Sequence, residues 1–206
     1  MSPLNSTQQG VVAEQEFAKL LILGSGGLLE VLRPMTDDER RDMEAHIRGR
    51  FGPPLTFQVK STTHIDHRYP GRRLSIHFPV AKDRLWTDDS YYYFFAYLDV
   101  EAMAFADPIF LVPSREVHQH ATKELHGDTW SFNFGPSLEP DANDRWVPFR
   151  HTTRTIGNHV LHLMEKQLTV AHSMPPGVPA DRLPAGAMLV WSPPLAPSAN
   201  SRLTNF

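Results

Sequence analysis

Arg41-Asp42-Met43-Glu44-Ala45-His46, followed after a turn by Thr56-Phe57-Gln58-Val59-Lys60-Ser61, decides how this chain is read. Both halves alternate polar and apolar residues, the period of a half-buried strand. In the first, Asp42, Glu44 and His46 face one way and Met43, Ala45 and Ile47 the other. In the second, Thr56, Gln58 and Lys60 share a face opposite Leu55, Phe57 and Val59. Gly49-Arg50-Phe51-Gly52-Pro53-Pro54 lies between them and suits a hairpin connection. Antiparallel pairing sets a carboxylate, an amide and a lysine side by side, a kit for binding a divalent metal and activating water.

Outward from this pair, Gln9 to Leu23 has helical spacing, with Ala13, Phe17, Leu20 and Leu21 recurring at steps of three and four. Glu14 and Glu16 lie on that helix, and Gly24-Ser25-Gly26-Gly27 ends it. Leu28 to Leu32 reads as a short strand and Pro34 to Arg41 as a polar loop. Thr62 to Arg73 is a loop rich in histidine and arginine, and Leu74 to Pro79 alternates again. Tyr91 to Asp99 is aromatic and apolar throughout, a central strand covered on both faces. Ala106 to Val112 reads as its neighbour. Ser114 is placed to cap a helix running to about Leu125. Trp130 to Phe134 suits a short strand, and Thr155 to Val170 a last amphipathic helix. The composition predicts a loosely attached start (1–8), one domain (9–172) and a proline-rich tail (173–206) carrying Met188-Leu189-Val190-Trp191. The fold class is α/β, a sandwich with a central mixed sheet flanked by helices.

Composition excludes several chemistries. The 206 residues contain no cysteine, which rules out disulfides, thiolate zinc sites and cysteine nucleophiles and is compatible with the cytoplasm. The first residues are polar, unlike a signal peptide, and the most apolar stretch is broken by Asp99, Glu101 and Asp107, so no membrane span is expected. There is no glycine-rich phosphate loop and no Ser-His-Asp order. His118 with His120, and His159 with His162, have metal-compatible spacing but no obvious third ligand. The net charge is −3, yet Arg40 to Arg84 holds ten of the 20 Lys and Arg residues and only four of the 23 Asp and Glu. A basic segment around the strand pair points to a nucleic-acid partner.

The order Gly10-Val11-Val12-Ala13-Glu14-Gln15-Glu16-Phe17, then Asp38-Glu39-Arg40-Arg41-Asp42-Met43, then Phe57-Gln58-Val59-Lys60-Ser61 resembles the PD-(D/E)XK nuclease superfamily. Within it the pattern is most similar to Mrr-type restriction endonuclease domains, which carry Gln-X-Lys where Glu-X-Lys is commoner. The resemblance runs from about Gln9 to Val170 and implies a restriction-endonuclease-like fold. It implies that Asp42, Gln58 and Glu14 hold Mg²⁺ (or Mn²⁺) and that Lys60 orients the attacking water and offsets charge on the phosphate. Glu44 is the next candidate ligand and Glu16 the fallback for Glu14. Arg40 and Arg41 stand where such domains have small glycines, so Asp37 or Asp38 could serve in place of Asp42, although neither opens an alternating strand. Arg40, Arg41, Ser61, His64, Arg68, Arg72 and Arg73 are the candidate nucleic-acid contacts. The implied activity is a metal-dependent nuclease acting on DNA in preference to RNA, as a restriction or antiviral defence effector. A homodimer, or a protein partner held through the tail, fits the small size of the core. The alternative is a catalytically inactive relative that binds nucleic acid or protein.

Overall fold

Strand β5 (Tyr91–Asp99) carries the central sheet of the computed structural model, which describes residues 4–35, 41–68 and 71–172. It pairs in parallel with β3 (Leu55–Thr62) and antiparallel with β6 (Ala104–Pro113). Beyond β3 lie β2 (Met43–Ile47) and then β1 (Leu29–Leu32), each antiparallel to its neighbour; beyond β6 lies the two-residue β9 (Arg150–His151). The sheet is therefore mixed and runs β1-β2-β3-β5-β6-β9.

Alternation along the strands divides the core in two. Met43, Ala45, Ile47, Phe57, Val59, Phe94, Ala96 and Leu98 pack under α1 (Ser6–Gly24) and α3 (Ile156–His172). Tyr91, Tyr93, Phe95, Phe110 and Val112 face a second sheet of β4 (Ile76–Ala81), β7 (Thr122–His126) and β8 (Thr129–Phe134), ordered β4-β8-β7. Phe134 of that sheet stacks on Phe95 of β5 with ring centroids 3.8 Å apart, Phe78 meets Phe95 at a tilt, and Phe132 stacks in turn on Phe78. Burying one such phenylalanine contributes about 3–5 kcal/mol by the cost of its truncation. β5 is covered on both sides, as its unbroken apolar run requires.

The helices close over the first face at two glycines. A Cβ on Gly157 would lie 2.6 Å from the Leu20 carbonyl oxygen, and one on Gly24 would lie 3.0 Å from the Gly157 nitrogen. Absent side chains let α1 and α3 touch backbone to backbone. Asn5 caps α1 in a capping box with Gln8, so the helix begins at Ser6, inside the stretch read as a loose start.

One element differs from expectation. The helix opened by Ser114 stops at His120 as α2 (Ser114–His120), and residues read as its second half form β7. Ser114 is not the cap; its hydroxyl is fully buried and bonded to the Asp88 backbone, donating to the carbonyl at 3.0 Å and accepting from the N–H at 3.1 Å. Gly127, at φ +60°, opens a two-residue turn with Asp128 that folds β7 onto β8, and the tight hairpin overrides the helical spacing. The expected tail (173–206) lies outside the described residues. No helix among the described residues is long and apolar enough to cross a membrane.

Candidate active site at the β2–β3 pair

The hairpin pairing is the one its alternation dictates, with Met43 opposite Phe57, Glu44 opposite Thr56 and Ala45 opposite Leu55. Asp42 extends the ladder by one residue, its N–H donating to the Phe57 carbonyl at 2.9 Å. It therefore falls on the polar face beside Gln58. One carboxylate oxygen, Oδ2, accepts from Gln58 Nε2 at 2.6 Å and from the Val59 N–H at 2.7 Å. Gln58 is only 6% exposed, so this bond fixes the orientation of both side chains.

Glu14 reaches the same place from α1, which is held at two points. Gln9 Nε2 donates to the carbonyl oxygen of Ser61 at 2.7 Å and to its hydroxyl at 3.1 Å. Phe17 stacks on Phe94 with ring centroids 4.0 Å apart and meets Phe57 edge-on. Glu14 lies between these anchors. Burial pushes its pKa up, and the Asp42 carboxylate pushes it further; Arg33 and Lys60 act in the opposite direction. Glu14 thus stands within electrostatic reach of both Asp42 and Lys60, and four sequence-predicted residues from α1, the start of β2 and β3 share one neighbourhood.

Arg33, just past β1, forms an ion pair with Glu14 and was not among the residues singled out from the sequence. An arginine beside a Pro in a polar loop carries no motif. Only the β1–β2 register, with Leu32 opposite Glu44, brings it there.

The remaining candidates are dispersed. Glu44 is engaged by Arg41 at 2.7 Å, and Glu16 by Lys19 at 2.6 Å. Asp37, Asp38 and Arg40 lie outside the described residues. Ser61 is the acceptor for Gln9, and His64 is exposed in the loop beyond β3, bonded to Thr62. Arg68 is forked onto Asp66, which lowers the Asp66 pKa to about 2. Arg72 lies against Glu139, and Arg73 Nη2 donates to the Gly135 carbonyl at 2.6 Å.

The histidine pairs serve other ends. His118 is held between the Thr87 hydroxyl at 2.8 Å and the Tyr93 hydroxyl at 3.0 Å, and burial lowers its pKa to about 4. His159 packs against His151 with ring centroids 4.1 Å apart and the ring planes tilted by 39°. No group of three or more His, Cys, Asp or Glu side chains suited to a metal occurs among the described residues. A metal at the β2–β3 site would therefore rest on two carboxylates completed by amide or main-chain oxygen.

No protein-family model and no curated protein matches the chain. Among solved structures, a bacterial homing endonuclease is similar in outline, with a TM-score of 0.48 and 14% identity over 80% of this chain and 98% of that one. A likeness of that size carries no argument about chemistry, and the site stands on its own geometry.

Proposed function

We propose that this chain is a metal-dependent nuclease that hydrolyses phosphodiester bonds, with DNA as its preferred substrate. The observation that supports it best is the meeting of Asp42, Gln58, Lys60 and Glu14. A helix carboxylate whose pKa is raised by burial and by the Asp42 carboxylate, within electrostatic reach of a lysine, is the kind of perturbed group that clusters at functional sites.

The residues fit a divalent ion. Mg²⁺ and Mn²⁺ take hard oxygen donors, and the set offers the Asp42 and Glu14 carboxylates with the Gln58 amide oxygen and the Val59 carbonyl. Mutual repulsion between the carboxylates is the field that such an ion relieves. Once bound, it would polarise the phosphate and lower the pKa of a water. Gln58 and the Val59 N–H hold the Asp42 carboxylate in one orientation. In this arrangement the Gln58 amide presents its NH₂ to Asp42, so offering its oxygen to an ion requires the amide to turn over. Lys60 brings positive charge to the phosphate as negative charge builds on its oxygens, and orients the attacking water. Glu14 completes the acidic wall from the helix.

A second reading, a protein that binds nucleic acid without cutting it, is favoured by one observation: Arg33 already engages Glu14, and Gln58 already engages Asp42. Incubation with supercoiled plasmid and with RNA, each in Mg²⁺, Mn²⁺ or EDTA, separates the two. Plasmid cleavage that stops in EDTA is the expected result. Binding without cleavage in either metal supports the second reading, and cleavage that persists in EDTA contradicts the first. Restriction or defence work, with a dimer or a partner on the tail, fits a catalytic core of this size.

A further inference from the structure

A cleft of about 560 Å³ opens between the loop after β3, the β7–β8 sheet and the segment before β9, with Arg68, Arg73, Asn133, Asp144 and Arg145 among its lining residues. Its walls are built, not loose. Asp66 accepts from the Arg68 main chain and its guanidinium, and Arg150 ties down the carbonyls of Ser137 and Glu139 at 2.5 and 2.7 Å. Asp144 spends both oxygens on the N–H groups of Ser137 and Trp146.

With Arg68 paired to Asp66, the cleft keeps Arg73 and Arg145 against Asp144, whose bonds to main-chain N–H groups leave its charge in place, so one net positive charge remains. Among the described residues the Arg73 guanidinium donates to the Gly135 carbonyl and that of Arg145 meets His120 Nδ1 at 3.2 Å; neither has a carboxylate in ion-pair range there. The Asn133 amide oxygen, buried beside them, has no hydrogen-bond partner there. Two guanidiniums without an ion-pair partner, in a cleft of net positive charge, attract an anion, and their fork geometry suits phosphate oxygens.

We propose that this cleft holds a backbone phosphate of the nucleic-acid strand, away from the bond that is cut. A polymer fits better than a small molecule, because small-molecule pockets are lined mainly by exposed apolar side chains. Here Leu74 and Trp146 are 1% and 6% exposed, their surfaces spent in the core. Asp66 follows Lys60 by six residues, so the cleft edge lies within about 20 Å of the proposed cutting site. That reach covers about six base-pair steps of duplex. The inference rests on the nuclease reading for its choice of ligand, and it assigns Arg145, which no sequence pattern indicated.

The test is binding of a fluorescein-labelled oligonucleotide duplex in EDTA, where cleavage does not intervene, by the wild type and by Arg145→Gln, an exposed position whose loss leaves the core intact. Arg145→Gln is expected to bind about five- to tenfold more weakly at low salt and to lower the slope of log K against log salt by about one. Arg73→Lys, which keeps the charge but not the fork, is expected to fall between the two. Arg154→Gln, not a lining residue, should leave both quantities unchanged. Wild-type affinity and slope in folded Arg145→Gln would overturn the cleft proposal, even if the protein cuts DNA. An Arg145-dependent slope in a protein that cuts nothing in Mg²⁺ would retain the cleft and reject the nuclease. Competition by millimolar inorganic phosphate that matches the oligonucleotide in potency would make free phosphate the ligand and overturn the choice of a strand.

Discussion

Gln58 donates to Asp42 across the β2–β3 pair at 2.6 Å, so the one neutral member of the predicted ligand set is bonded directly to its acidic partner. An amide here satisfies the carboxylate that a glutamate would repel. Gln58→Glu, which restores the commoner Glu-X-Lys pattern, sets two carboxylates against each other in a buried place. The expected result without divalent ions is a loss of about 1–3 kcal/mol in urea unfolding. Millimolar Mg²⁺ should recover more stability in this variant than in the wild type. Equal stability in EDTA would show that the Gln58–Asp42 bond contributes nothing.

Glu14 has its pKa raised by burial and by Asp42, so the native state binds its proton more tightly than the unfolded chain does. Its contribution is full below the ordinary carboxylate pKa and is lost as pH rises through the raised one. At pH 7 the ionised group therefore disfavours folding. Glu14→Gln should melt at a higher temperature than the wild type at pH 7 in EDTA, with the gap closing below about pH 4. The same variant should lose metal-dependent cleavage. A lower melting temperature at pH 7 would mean that the Arg33 pair outweighs burial.

His118 works in the opposite sense. Burial lowers its pKa to about 4, so the neutral ring is the native form, bonded to Thr87 and Tyr93. The stability it supplies is present above the ordinary histidine pKa and drains as pH falls from about 6.5 towards 4. His151, with a pKa also lowered to about 4, adds to the same slope. The urea midpoint of the wild type should fall across this window, and that of His118→Gln should fall less steeply. Identical slopes would remove His118 from the account.

The contact between α1 and α3 permits no added carbon at Gly157, where a Cβ meets the Leu20 carbonyl at 2.6 Å. Gly157→Ala should cost about 2–3 kcal/mol in chemical denaturation, because backbone has to move apart. Gly10→Ala, on an open stretch of α1, should instead be neutral or slightly stabilising.

The strand pair was legible because burial of one face enforces alternation: Met43, Ala45, Ile47, Phe57 and Val59 all face the helices, and their register fixes Asp42 beside Gln58. The aromatic run of β5 was legible for the same reason. What could not be read was the partner of each exposed charge. Arg33 meets Glu14 through an edge-strand register, and Arg72 meets Glu139 across a loop 67 residues away. Neither relation leaves a local pattern. Ser114 shows the opposite error: a hydroxyl before a helical spacing looked like a cap, but burial against Asp88 and the Gly127 turn decided its role. The polar face of β3 was also less exposed than alternation suggested, since Thr56 and Gln58 are 7% and 6% exposed.

The most direct measurement is the single-turnover rate of plasmid nicking in Mg²⁺ by the wild type and by Lys60→Ala, with both variants shown to melt alike. Lys60 lies at the half-buried end of β3, so its truncation should leave the fold unchanged. If Lys60 supplies the charge that meets the developing phosphate anion, its loss should slow nicking by at least about a hundredfold. Lys60→Ala nicking at the wild-type rate would contradict the assignment of this site.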